Sequence, residues 1–123
     1  MYADTDFFLA LLKKQDWLKG KAEIVYKRYK RNIWTSPVTL IELLLLAERH
    51  SLDPEELLVD VLHMVAVKDC DTNAFLVAAH YIKEYNLRVF DALHASFCGK
   101  DRIISSGRIY DRVGLERGRL GIQ

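Results

Sequence analysis

Four short segments with β-strand composition, separated by segments with helical periodicity, constrain the fold of this chain most strongly. They are residues 1–3, 33–35, 64–67 and 102–106. Because helices connect them, consecutive strands are expected to run parallel, with the helices packed against one sheet. We therefore predict a three-layer α/β fold with a parallel sheet of four or five strands, the fifth being a short edge strand near residues 113–117.

The length and composition of the chain fit one domain. Half of its 123 residues are hydrophobic, which is enough for one core, so residues 1–123 are expected to form a single domain. The chain has no internal repeat, low-complexity segment or Gly/Ser-rich linker. Its net charge of +1 gives no overall field that would indicate a nucleic-acid or membrane partner.

Cysteine usage and hydropathy predict a cytoplasmic protein that does not associate with a membrane. Cys70 and Cys98 lack the spacing of a metal site and are expected to be reduced thiols. The N-terminal segment has an acid at position 4 and no basic region, unlike a signal peptide. The longest apolar run, residues 43–47, is too short to cross a bilayer.

Asp4 is the first candidate for chemistry. It directly follows the first predicted strand, and open α/β sheets bind their ligands at the carboxyl ends of strands. The other interpretation is that Asp4 or Asp6 only caps the helix that follows, because aspartate is favoured at the N-cap position.

Two further carboxylates, Glu42 and Asp91, stand alone on apolar helices. Apolar residues surround Glu42 on nearly every side of the segment 38–49, so this helix is predicted to be largely buried. A buried charge needs a cation, a donor network or a metal, and an ion pair with a lysine or arginine is the alternative to a metal. Asp91 lies near the start of the helix predicted at 87–98, with His94 one turn further along the same face.

The three carboxylates of Asp4, Glu42 and Asp91 would meet if both helices begin at the carboxyl edge of the sheet. Like charges packed together repel one another, so such a cluster is stable mainly around a divalent cation. Oxygen ligands alone favour Mg²⁺ or Mn²⁺. Hydrolysis of a phosphodiester bond is the reaction that this kind of site performs.

A basic helix predicted at residues 17–31 is a second functional pattern. Cations alternating with aromatic rings are what single-stranded nucleic acids bind. The other interpretation is a solvated helix face whose aromatic rings point into the core. The helix and its flanks carry Lys13, Lys14, Lys19, Lys21, Lys27, Arg28, Lys30 and Arg31, with Trp17, Tyr26, Tyr29 and Trp34 among them.

Four motifs, taken in order, resemble those of a PIN domain. They are Asp4-Thr5-Asp6, Ser36-Pro37 followed by Thr39 and Glu42, Phe90-Asp91-Ala92-Leu93-His94-Ala95, and the late strand Ile103-Ile104-Ser105-Ser106. Within PIN domains, the length and the Asp-Ala-Leu-His-Ala motif are most similar to the VapC ribonuclease toxins of prokaryotic toxin–antitoxin pairs.

This resemblance implies an endoribonuclease that needs Mg²⁺ or Mn²⁺ and cleaves single-stranded or structured RNA. It also implies a homodimer and a cognate antitoxin that binds near the acidic site. Carried over to this sequence, it assigns Asp4, Glu42 and Asp91 as the catalytic metal ligands. Thr5 and Ser105 are then the hydroxyls that support those ligands.

The fourth motif departs from the family. PIN domains usually have an aspartate after the hydroxyls of the late strand, where this chain has Gly107. Asp111, about one helical turn later, is the remaining candidate for a fourth metal ligand. Without it, the alternative is a weakened or silent PIN domain that acts as an RNA- or protein-binding module.

An Asp-x-Asp motif after the first strand is also typical of the haloacid-dehalogenase phosphatases. The chain is short for that fold, and no convincing lysine and paired acids follow downstream. That class is therefore the less favoured enzyme interpretation.

Overall fold

The sheet has five strands, all parallel, in the order β3-β2-β1-β4-β5. The structure, a computed structural model, describes residues 1–69 and 71–119, so the expectation for Cys70 falls outside the described residues. The predicted parallel α/β fold is confirmed. The strands are β1 (Tyr2–Ala3), β2 (Trp34–Thr35), β3 (Ala66–Val67), β4 (Ile103–Ser105) and β5 (Arg117–Arg119).

Helices connect the first four strands. They are α1 (Thr5–Leu12), α2 (Lys19–Tyr29), α3 (Pro37–Ala47), α4 (Pro54–Met64), α5 (Asn73–Tyr85) and α6 (Val89–Cys98). Short 3₁₀ helices lie at Lys30–Asn32 and Arg108–Val113. The two prolines each occupy a first helical position, where the missing N–H costs no hydrogen bond. None of the helices in the described part of the chain is long and apolar enough to cross a membrane.

Successive residues of the central strands pack on opposite faces of the sheet. Tyr2 and Ile103 belong to a core cluster with α5 and α6, whereas Ala3 and Ile104 belong to a cluster with α1, α2, α3 and α4. All four residues are fully buried. A parallel sheet covered by helices on both faces gives the three layers that the sequence predicts.

The strands are shorter than predicted or displaced, and β3 and β5 differ most. Helix α4 continues to Met64, which leaves β3 only Ala66–Val67 instead of 64–67. The edge strand β5 lies at Arg117–Arg119 instead of 113–117, because Val113 still belongs to the 3₁₀ helix and Gly114 ends that helix in a left-handed turn. Strands of two or three residues give too little alternation for a pattern to fix their ends.

Helix α3 is not largely buried, so that prediction is wrong. Val38, Leu43 and Ala47 face the core, but Ile41 and Leu45 are 54% and 65% exposed. Only one stripe of the helix packs against its neighbours, although the sequence is apolar all round.

The aromatic residues of the basic segment are divided between core and surface. Tyr26 and Tyr29 are partly buried and pack against the core cluster that includes α2. Trp17, just before the helix, is 72% exposed. The core interpretation therefore holds for the two tyrosines, and Trp17 is the aromatic ring available for stacking.

Candidate functional site

Asp4 lies at the carboxyl end of the central strand, between β1 and α1. Its Oδ1 accepts the Thr5 backbone N–H at 2.6 Å, and its Oδ2 accepts the hydroxyls of Ser105 at 2.9 Å and Tyr110 at 2.8 Å. By contrast, the N-cap Asp53 of α4 accepts the two N–H groups of residues 55 and 56, as an ordinary cap does. Asp4 therefore caps α1 only in part, and most of its contacts come from other segments.

Glu42 and His94 meet beside Asp4. His94 Nε2 lies 2.8 Å from Glu42 Oε1 and 3.1 Å from Asp4 Oδ1. Thr5 donates its hydroxyl to the same Glu42 oxygen. On the other side of the ring, Nδ1 lies 2.7 Å from the Tyr2 hydroxyl. Among the described residues, the partners of Glu42 are thus a histidine and a threonine, not the lysine or arginine that the ion-pair interpretation requires.

Asp91 joins the same cleft from the first turn of α6. Tyr110 links it to Asp4, because the tyrosine hydroxyl also lies 3.5 Å from Asp91 Oδ1. The cleft has a volume of about 260 Å³. Its described lining residues are Asp4, Thr5, Asp6, Leu9, Glu42, Leu46, Asp91, Ser105, Ser106, Gly107 and Tyr110. The three carboxylates that the sequence singles out therefore share one concave site, with the two predicted hydroxyls of Thr5 and Ser105 beside them.

The acids of the cleft perturb one another. Burial and then the charge of Asp4 raise the pKa of Asp6 to about 6, and the same two causes raise the pKa of Asp91. Burial opposes the charged form of His94, but Asp4, Glu42 and Asp91 outweigh it and raise the pKa of this imidazole. Partial burial alone would raise the pKa of Glu42, but hydrogen bonds from His94 and Thr5 lower it. The cleft therefore concentrates negative charge that needs a positive partner.

The donor set fits a hard divalent cation. One ligand atom from each of Asp4, Glu42 and His94 lies within 4.8 Å of the others. Asp91 lines the same cleft, so most of the candidate ligand atoms are carboxylate oxygens. Mg²⁺ and Mn²⁺ prefer such ligands. The imidazole of His94 stands between Asp4 and Glu42, where its protonated form offsets part of their negative charge.

Asp111 does not reach the cleft. Its carboxylate accepts from Arg117 Nε at 2.9 Å and Nη2 at 3.2 Å on the exposed side next to β5. The hydrogen bonds from Arg117 also lower the pKa of Asp111. In the 3₁₀ helix, Tyr110 points into the core and the next residue points outward. We therefore remove Asp111 from the candidate metal ligands.

Four residues around the site were not among the predicted site residues: Tyr2, Asp6, His94 and Tyr110. The spacing of His94, three residues after Asp91, was a usable signal because it places both side chains on one helix face. Asp6 was considered only as a cap, and capping preference does not distinguish the two roles. No local pattern in the sequence marks the hydroxyls of Tyr2 and Tyr110.

The acid cluster makes the stability of the metal-free protein depend on pH. Asp6 ionises near pH 6 when folded but near 3.8 when unfolded, so its ionisation destabilises the folded state as pH rises. The stabilising charge of His94 is complete below its unfolded pKa of 6.5 and is lost as pH rises through its higher folded pKa. Both effects lower the free energy of unfolding as pH rises. We expect the unfolding free energy to fall by about 1 to 2 kcal/mol from pH 5 to pH 8.

Urea denaturation of chelator-treated protein at pH 5, 6, 7 and 8 measures this dependence. The slope should be smaller in Asp6→Asn, which removes one of the titrating groups. Stability that stays constant or rises over this range would contradict the expected coupling.

Comparison with known proteins adds a family and several structural neighbours. A family model described as PIN domain matches residues 1–114. No sequence among the curated proteins matches the chain.

Several solved structures share the fold. The VapC20 toxin of Mycobacterium tuberculosis, described as cleaving the sarcin–ricin loop, is 18% identical with a TM-score of 0.83, covering 96% of this chain and 98% of that one. VapBC2 of Rickettsia felis, bound to a promoter DNA fragment, is 16% identical with a TM-score of 0.67, covering 94% and 95%. A toxin–antitoxin complex of Klebsiella pneumoniae is 15% identical with a TM-score of 0.67, covering 86% and 85%.

Proposed function

The chain belongs to the PIN domain family, and from this premise we propose that it is a metal-dependent endoribonuclease, the toxin of a toxin–antitoxin pair. The observation that carries the proposal is that Asp4, Glu42 and Asp91, far apart in sequence, line one cleft at the carboxyl edge of the sheet. Membership in this family also excludes the haloacid-dehalogenase interpretation of the Asp-x-Asp motif.

The carboxylates of the cleft would hold Mg²⁺ or Mn²⁺. A divalent cation bound there lowers the pKa of water for attack on the phosphodiester and neutralises charge on the reacting phosphate. The protein supplies the orientation. Ser105 and Tyr110 fix one oxygen of Asp4, and Thr5 fixes one oxygen of Glu42, so both carboxylates are held before a cation arrives.

An RNA substrate is supported by the charge near the cleft. Arg88, an exposed residue, lines an adjoining cavity of about 290 Å³ together with Glu42 and Asp91. Among the described residues it makes no ion pair, so its guanidinium is available to a phosphate beside the acids. The structural neighbour described as a sarcin–ricin loop cleaving toxin supports the same substrate class.

A cognate antitoxin and a homodimer complete the proposal. Two of the structural neighbours are complexes of a toxin with its antitoxin. This chain exposes apolar side chains on the adjacent helices α3 and α4, which supports burial against another protein. They are Ile41, Leu44, Leu45, Val59 and Leu62.

Metal removal tests the nuclease. Purified protein should cleave a fluorescent single-stranded RNA in Mn²⁺ or Mg²⁺ and stop when EDTA is added, with activity restored by excess Mn²⁺. Asp91→Asn should lower the rate by about a hundredfold or more, because it removes a charged ligand. Asp71→Asn is the matched control, since Asp71 is an exposed acid outside the cleft whose carboxylate accepts the backbone N–H of Asn73.

Cleavage that continues unchanged in EDTA, or in Asp91→Asn, would assign the activity to a contaminant or another site. The silent-module alternative, suggested by Gly107, predicts a different pattern. In that case the protein binds the same RNA in a fluorescence anisotropy titration but does not cleave it at any metal concentration.

A further inference from the structure

The carboxylate of Asp6 forms part of the cleft wall at the end of β4. Its Oδ2 accepts the Ser106 N–H at 2.8 Å, the Ser106 hydroxyl at 2.5 Å and, more weakly, the Ser105 hydroxyl at 3.4 Å. These donors come from the segment that follows the late strand. They fix the orientation of a side chain that belongs to the first turn of α1.

The other oxygen of Asp6 has no such partner. Oδ1 is inaccessible to solvent and accepts no hydrogen bond from any residue that the structure describes. A buried carboxylate oxygen without a donor or a cation is strongly unfavourable. No lysine or arginine is among the described residues that line the cleft.

Asp6 lines the same cleft as the three candidate ligands. Its donor Ser106 directly precedes Gly107, the position where the late motif lacks an acid. A Cβ at Gly107 would lie 3.3 Å from both Ser105 Oγ and Tyr110 Cε2, which are close contacts. The segment after β4 thus presents hydrogen-bond donors to Asp6 in place of a carboxylate of its own.

We infer that Asp6 supplies the fourth carboxylate of the cation site, with Oδ1 as the ligating atom. This inference rests on the proposed function, since it concerns the divalent cation of that same cleft. The structural task of Asp6, which is to accept the Ser106 donors, uses only Oδ2. An asparagine would perform that task equally well through its amide oxygen, so the free oxygen needs a different explanation, which the cation provides.

Asp6→Asn separates the two roles. Its amide oxygen can still accept from Ser106, while its amide nitrogen replaces Oδ1 and does not bind a cation. Mn²⁺ binding is measured by isothermal titration calorimetry on wild type, Asp6→Asn and Asp91→Asn, with Asp53→Asn as the control at an exposed cap. We expect Asp6→Asn to bind Mn²⁺ about tenfold more weakly or worse, and Asp53→Asn to bind as wild type does.

Thermal unfolding of the metal-free variants checks that the loss is not a folding defect. Asp6→Asn should unfold at or above the wild-type temperature, because it removes a buried charge. Asp6→Ala, which deletes both oxygens, should show a loss of Mn²⁺ affinity at least as large. Wild-type Mn²⁺ affinity in both Asp6 variants would overturn the inference.

The controls also separate this inference from the proposed function. If wild type binds Mn²⁺ and Asp91→Asn does not, but Asp6→Asn binds normally, only the role of Asp6 is wrong. If wild type itself binds no Mn²⁺, the metal-dependent nuclease proposal fails first, and the assignment of Asp6 fails with it.

Discussion

Replacement of Asp4 by asparagine is expected to slow RNA cleavage by about a thousandfold at saturating Mn²⁺, because charge stabilisation by a bound cation is worth several kcal/mol in the transition state. Asp4 is the acid with the most contacts in the cleft. It receives hydroxyls from Ser105 and Tyr110 and lies 3.1 Å from His94. Asparagine keeps the size of the side chain but loses the charge and one ligand oxygen.

The matched control for this variant is Asp53→Asn. Asp53 and Asp4 both precede a helix and accept backbone N–H groups, but Asp53 is exposed on α4. Both asparagine variants keep a favourable N-cap residue, so both should remain folded by circular dichroism. Initial rates of cleavage of a labelled RNA then measure the effect of each substitution on the cleavage reaction. Equal rates for Asp4→Asn and wild type would mean that Asp4 is only a cap.

The location of the three acids was predictable because each is marked by the sequence immediately around it. Asp4 follows a strand and precedes a helix, which fixes its place at the carboxyl edge in a parallel fold. Glu42 and Asp91 are single charges on apolar helices, and such charges need a partner. These patterns depend on a few neighbouring residues, so they can be recognised without knowledge of the tertiary structure.

The identity of the partners was not predictable in the same way. His94 lies 2.8 Å from Glu42 because α3 and α6 pack side by side, and this proximity is a tertiary property. Tyr110 and Asp111 are adjacent in sequence, yet one reaches Asp4 and the other pairs with Arg117. The rotation of a single 3₁₀ helix decides which of them faces the site, and no periodicity in six residues fixes that rotation.

The exposure of α3 was mispredicted for a related reason. Hydrophobic residues on all sides of a helix indicate that the helix is buried on all sides. The pattern does not say whether the same chain or another protein covers each side. In this chain Ile41 and Leu45 remain exposed, on a helix whose other face packs into the core. A helix that is apolar on all sides is expected where it is buried in a complex as well as where it is buried in the monomer.

Tyr110→Ala is expected to lower the free energy of unfolding by about 3 to 5 kcal/mol, since it empties a large buried site. Tyr110 is fully buried and packs with the cluster formed around α5 and α6. Its hydroxyl also donates to Asp4 Oδ2 at 2.8 Å. Because small proteins are stable by only about 5 to 15 kcal/mol, this loss is a large fraction of the total.

Tyr110→Phe separates the ring from the hydroxyl. It keeps the packing and removes only the hydrogen bond to a charged acceptor, so we expect a loss of about 1 to 2 kcal/mol. Asp4 retains the Ser105 hydroxyl and all candidate ligand oxygens stay in place, so metal-dependent cleavage should persist at a reduced rate. Urea denaturation of both variants at pH 7 measures the two contributions. An equal loss in both would show that the hydroxyl, not the ring, carries the stabilisation, because only the hydroxyl is missing from both.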